Sequence, residues 1–171
     1  MNETLNTLIN RASPRSFRPE HIEKEKLELI LQAGLKAPSG RNAQTPLFIV
    51  VTRDEVVKKL SGLNAAVMGT DADPFYGAKD VIVVLAKKEI CWQYDGPLAI
   101  GNMLNAAFSL GVGSRWIHRA KQVFEGAEGK AILADLGIEG DVEGIGFCVL
   151  GYSDENPAPK EILPGRVFRI E

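Results

Sequence analysis

The chain has 171 residues, 45% hydrophobic and 25% charged, and its 20 Lys and Arg against 22 Asp and Glu leave a formal charge of −2. That length suits one hydrophobic core and falls short of two ordinary domains. The basic residues are interspersed with acidic ones, as in Glu20 to Lys26 and Lys87 to Glu89, so no cationic stripe is available to follow a nucleic-acid backbone. No stretch approaches the roughly 18 to 20 apolar residues of a membrane helix, and no basic segment followed by an apolar core opens the chain, so a cytoplasmic location is expected. Cys91 and Cys148 lie outside any Cys-x-x-Cys pair and read as isolated reduced thiols. With His21 and His118 the only histidines, a His-rich metal site is excluded and a Ser-His-acid triad has few ways to assemble.

Leu5, Leu8 and Ile9 form an apolar face at helical spacing that ends near Arg11, ahead of Pro14. A stronger stripe, Ile22, Leu27, Ile30, Leu31 and Leu35, predicts a second helix with Glu23 and Glu25 at its favourable N-terminal end. The runs Leu47–Val51 and Val81–Leu85 are apolar on both strand faces and predict central strands covered on both sides. Between them a short helix over Asp54–Leu60 is expected. Asn64–Gly77 then reads as a substrate loop in which Phe75 and Tyr76 either cover a flat ligand or serve as ordinary core packing.

Pro97 is expected to begin a long buried helix carrying Ile100, Met103, Leu104, Ala107 and Phe108, and Gly111–Ile117 a turn entering a strand. Gln122–Leu136 predicts a helical connection broken at Gly126 or Gly129. Ile145–Leu150 predicts a last strand stopped by Gly144 and Gly151. Beyond Tyr152 the prolines resist regular structure, yet Val167–Ile170 has strand propensity, so residues 153–171 form either a dangling end or a tail that crosses to another sheet. The alternation of helices and strands specifies a single α/β (α+β) domain.

Two segments carry chemistry. In Arg11-Ala12-Ser13-Pro14-Arg15-Ser16-Phe17, Pro14 blocks a helix, and an extended backbone points Arg11, Ser13 and Arg15 the same way. Two guanidinium groups flanking a hydroxyl suit a phosphate. In Ala37–Gln44, Ser39, Asn42 and Gln44 offer hydrogen-bonding groups around Gly40 just before an apolar strand, which suits a polar, planar ligand; a plain surface turn is the alternative.

With these segments the chain resembles the nitroreductase family of FMN-dependent flavoproteins, from Arg11 through the tail. The Arg-x-Ser-x-Arg-x-Phe element is Arg11, Ser13, Arg15 and Phe17; the Ala-Pro-Ser-x-x-Asn-x-Gln element is Ala37 to Gln44; Asp95 is the acidic entry to the central helix; Gly111 to Ile117 is the Gly-x-Gly-Ser-x-Trp-Ile element. The resemblance implies a three-layer fold with a central mixed β-sheet flanked by helices, and FMN sites at the boundary of a homodimer. It implies that Arg11, Ser13, Arg15 and Lys160 hold the phosphate, and that Ser39, Asn42 and Gln44 lie near the ribityl chain and ring. Gly113 and Ser114 belong to the same cofactor-binding set, and His118 and Arg119 would present main-chain N–H groups to flavin N5 and O4. It further implies NAD(P)H as a transient electron donor and a nitroaromatic, quinone or similar small planar acceptor, with the redox chemistry carried by flavin rather than by a protein nucleophile or metal.

The sequence departs from the family pattern at Thr45-Pro46, where Pro followed by an aromatic is common; at Ile162, where a second basic contact is common; and at His118, which replaces a glutamate. Arg166 is the candidate to compensate for Ile162. Two other readings stay open: a flavin-binding or flavin-remodelling protein with little turnover, and a non-enzymatic α/β interaction protein.

Overall fold

The computed structural model describes residues 1–171. Its elements in chain order are α1 (Glu3–Asn10), α2 (Lys24–Leu35), β1 (Pro46–Val51), α3 (Asp54–Met68), β2 (Asp80–Lys87), α4 (Trp92–Ser109), β3 (Gly113–Ile117), α5 (Ala120–Glu125), α6 (Ala127–Asp135) and β4 (Val142–Gly151). The four strands form one sheet in the order β1-β2-β4-β3. Each pairing within the chain is antiparallel.

Helices cover both faces, giving the expected three layers. Successive side chains of a strand point to opposite faces, so a strand covered on both sides is apolar at every position. β2 fits this: Val81, Val83 and Leu85 enter one core with Val57 and Leu60 of α3, Val123 and Phe124 of α5, and Phe147. Ile82 and Val84 enter the other core with Leu27 and Ile30 of α2 and Ile100 and Met103 of α4. Each such side chain contributes about 1.5–3 kcal/mol on leaving water. Gly34 lets α2 approach α4, since a Cβ there would lie 2.9 Å from the Met103 side chain.

α1 and α2 form where the apolar spacing predicts them, and the helical connection after β3 breaks at Gly126. Several expectations need correction. β1 is an edge strand rather than a central one, and most of it is only half-buried. α3 runs to Met68, well into the segment read as a substrate loop, and closes on Gly69 at φ 67°. α4 begins at Trp92, with Pro97 inside it, because Cys91 in the left-handed region turns the chain into the helix. β4 ends at Gly151 as expected, but Gly144 lies within it instead of stopping it; a Cβ at Gly144 would strike the Ala120 backbone at 2.4 Å. No helix is long and apolar enough to cross a membrane.

Phe75 is 1% exposed and packs on Phe147 with ring centroids 5.1 Å apart, so of its two readings core packing holds and ligand cover does not. Replacing Phe75 with Ala is expected to lower stability by about 3–5 kcal/mol in denaturant unfolding. A loss below about 1 kcal/mol would contradict its place in the core.

Candidate functional site

The extended strap Arg11–Phe17 is fastened to the end of the sheet. Phe17 is buried against two glycines that face each other in the β3–β4 ladder, Gly113 and Gly151, where a Cβ would come within 3.2 and 3.0 Å of its ring. The Phe17 N–H donates to the Tyr76 carbonyl at 3.0 Å, and the Arg18 N–H to the Tyr152 carbonyl at 2.8 Å. Arg115 of β3 donates from Nη1 to the carbonyls of Ser13 at 3.1 Å and Pro14 at 3.3 Å, with its guanidinium 5.0 Å from the Tyr76 ring centre. Sequence reasoning missed Arg115, because a positioning arginine in a strand leaves no spacing signal.

So held, the strap brings its polar side chains together. Arg11, Ser13 and Arg15 line one cavity of about 570 Å³, and Lys160 joins them from the tail. Arg11 donates to the Ser13 hydroxyl at 2.9 Å, and none of the three cations is paired with a carboxylate. Arg166 lies outside this cavity. Past Gly151 the chain forms no further regular element, and Ile162, Leu163, Val167, Phe168 and Ile170 are exposed.

Ser39, Asn42 and Gln44 form a second cluster. The loop is folded around Asp95 in the first turn of α4, which is 1% exposed. Asp95 accepts the Gly40 N–H at 2.9 Å and the Thr45 hydroxyl at 2.7 Å. Gly40 has to lack a side chain, since a Cβ would lie 2.5 Å from that of Cys91. Arg41, Asn42 and Gln44 have φ of 52°, 57° and 49°, with Ala43 between them at φ −68°, and positive φ is unusual for residues with side chains. Ser39 accepts the Gln44 N–H at 3.0 Å, and Gln44 donates to Asn42 at 3.2 Å. Thr45, a departure from the family pattern, is thus a buried anchor of the loop.

The third group surrounds the end of β3. Ser114 is buried and its hydroxyl donates to the Leu104 carbonyl at 3.4 Å, so its side chain is used inside the fold. His118 and Arg119 follow, Arg119 at φ 75°, and neither main-chain N–H has an acceptor in the chain. Asn64 of α3 is fully buried and donates to the His118 carbonyl at 2.7 Å, while its Oδ1 has no partner. Sequence reasoning missed this residue too. The available signal was an amide on the apolar face of a helix, seven residues beyond Val57 and four beyond Leu60.

The strap lies against the start of β3, but the Ser39–Gln44 loop sits elsewhere. Pro46, which follows it, pairs with Ala86 at the opposite end of the sheet from Gly113 and Gly151. β1 and β3 are also the two edges, three strand spacings or ~14 Å apart.

The root of the tail is held electrostatically. Tyr152 donates its hydroxyl to Glu23 and accepts from Lys26 at 2.7 Å. That hydroxyl, with the main chain and then Lys26, pulls the Glu23 carboxyl down from 4.5 to about 2. Burial pushes the Cys148 thiol up to about 12, which keeps it an inert core residue.

The nitroreductase family model matches residues 8–152, and the chain belongs to that family. A relative from Archaeoglobus fulgidus, provisionally named an NADH dehydrogenase/NAD(P)H nitroreductase, is 33% identical over 180 aligned positions covering 99% of this chain and 98% of its own. The structure of a Bacteroides fragilis nitroreductase with bound FMN superposes with a TM-score of 0.88 at 29% identity, covering 100% of both chains. A Desulfitobacterium hafniense nitroreductase with bound FMN gives 0.89 at 25% identity, also over 100% of both.

Two outcomes follow from these contacts. Thr45→Val leaves one Asp95 oxygen buried without its donor and is expected to cost about 1–3 kcal/mol in denaturant unfolding, with faster hydrogen exchange at the Gly40 amide; unchanged stability and exchange would contradict the anchor. The lowered Glu23 carboxyl stabilises the fold above about pH 4.5, and this contribution fades as pH falls towards 2. Tyr152→Phe should therefore flatten the acid limb of the stability profile, and an acid limb identical to wild type would show that the Tyr152 bond does not set it.

Proposed function

We propose that the chain is an FMN-dependent oxidoreductase that takes hydride from NADH or NADPH and passes reducing equivalents to a small planar acceptor, such as a nitroaromatic or a quinone. The observation that carries this reading is the convergence of Arg11, Ser13, Arg15 and Lys160, without a counter-charge on the cations, in one cavity beside the start of β3. The residues present fit FMN. Two guanidinium forks, a hydroxyl and an ammonium suit a phosphate, and the unpartnered Asn64 Oδ1 is an acceptor of the kind a flavin imide N–H needs.

FMN, when bound, supplies a ring that accepts and gives up hydride. The chain's own residues bind and orient. Arg11 and Arg15 would hold the phosphate through their guanidinium groups, Ser13 would add a neutral donor, and Lys160 would add charge from the tail. Gly113 makes room for Pro14 and Phe17 of the strap, and Ser114 ties β3 to α4 through the Leu104 carbonyl, so both serve the site by holding its frame. The free N–H groups of His118 and Arg119, with the Arg119 charge, would be donors to the polar edge of a bound ring and would favour negative charge there.

The assembly proposed is a homodimer. Ser39, Asn42 and Gln44 lie at the opposite edge and end of the sheet from the phosphate cluster, so they serve a flavin most simply when a second copy brings them to it. The apolar side chains exposed on the tail are suited to the same boundary.

Arg11→Ala and Arg15→Ala are each expected to weaken FMN binding by about 1.5–3 kcal/mol, more than Lys160→Ala, whose ammonium lacks the planar fork. FMN titration of the purified variants checks the order, and unchanged affinity in both arginine variants would overturn the phosphate assignment. Anaerobic mixing of FMN-loaded protein with NADH or NADPH should bleach the flavin absorbance. No bleaching by either donor would sink the nicotinamide-dependent reading, and tight FMN binding without acceptor-dependent oxidation of NAD(P)H would favour the flavin-binding alternative.

A further inference from the structure

The cavity that gathers Arg11, Ser13, Arg15 and Lys160 contains one acidic side chain, Glu155. Its Oε2 accepts the main-chain N–H of Arg15 at 2.6 Å. The Glu155 N–H in turn donates to the Ser153 hydroxyl at 3.1 Å, and Asp154 faces Arg18 at 3.8 Å, so the turn after Tyr152 is fixed in a way that delivers this carboxylate to the strap. Glu155 forms no ion pair with the three cations around it. It therefore leaves the guanidinium and ammonium groups free while taking the strap donor that an anion lodged between Arg11 and Arg15 would use.

We infer that Glu155 is an affinity-determining residue of the phosphate subsite, an internal competitor that sets how firmly a phosphorylated flavin is retained. The inference rests on the FMN reading above. A phosphate entering the cavity meets one of two situations. If Glu155 stays, two anions share one cavity; if it withdraws, the tail loses a short charged hydrogen bond to Arg15. In both cases the binding free energy of the phosphate is reduced, and that of the ring is not. The tail thus carries opposed contributions five residues apart, Lys160 drawing the phosphate in and Glu155 resisting it. The consequence is a flavin that exchanges with solution more readily than the number of cations suggests.

The test is the full-length protein carrying Glu155→Gln, which keeps the side-chain length and a carbonyl acceptor for the Arg15 N–H but removes the charge. FMN and riboflavin are titrated into wild type and variant at low and at high salt. The expected result is FMN binding about tenfold tighter in the variant at low salt, a gain that shrinks as salt screens the charge, and no change for riboflavin, which lacks the phosphate. On gel filtration the variant should also retain more FMN than wild type.

A residue that merely supports the strap gives the other sign, since weakening its bond to Arg15 would loosen FMN. FMN affinity that is unchanged or weaker in Glu155→Gln, or equal tightening of FMN and riboflavin, would overturn the inference while leaving the FMN reading intact. Failure of the wild-type chain to bind either flavin would overturn that reading, and this inference with it.

Discussion

The paired glycines Gly113 and Gly151 are the constraint on which the arrangement depends. They face each other across the β3–β4 ladder, and Phe17 and Pro14 occupy the space two side chains would otherwise fill. Only on such a bare patch can the strap lie flat on the sheet end, with Phe17 in the core and Arg11, Ser13 and Arg15 facing one cavity. Burial of the Phe17 ring, about 1.5–3 kcal/mol, thus also positions the cations. Arg115 adds two bonds to the strap's carbonyls, so the segment is secured through its main chain and its polar side chains stay available.

Asp95 does similar work at the far end of the sheet. A buried carboxylate needs partners, since an uncompensated one is costly. Here the Gly40 N–H and the Thr45 hydroxyl supply them, and in doing so hold three residues with side chains in the left-handed region. One chain therefore builds two ordered polar clusters and keeps them apart, on different edges and different ends of the same sheet. A ligand that uses both is best served by two chains.

Much of this was legible in the sequence because the signals are local. Pro14 and the alternation around it specify an extended strap; the apolar spacing of Leu27, Ile30 and Leu31 specifies α2; Gly126 and Gly129 mark a break, which falls at Gly126. What was not legible depends on partners distant in sequence. An apolar run reads the same in an edge strand as in a central one, so β1 was misplaced. Gly144 looks like a strand stop, but it lies inside β4, where its missing side chain makes room for the Ala120 backbone; Gly151 does end the strand, and its missing side chain also makes room for the Phe17 ring. Phe75 beside Tyr76 looks like a lid until Phe147 arrives from β4 to meet it. Asn64 and Arg115 act through single contacts across the fold, which no spacing encodes.

The claim of a site shared between two copies is tested most directly by complementation. One chain carries Arg15→Ala, which damages the phosphate strap, and the other carries Asp95→Ala, which damages the loop. Each alone should form dimers poor in flavin. Co-expressed, the mixed dimer contains one site in which both strap and loop are intact, so FMN binding and NAD(P)H oxidation should return in part. Mixed dimers as inactive as either parent would contradict the shared site and assign the whole flavin to a single chain.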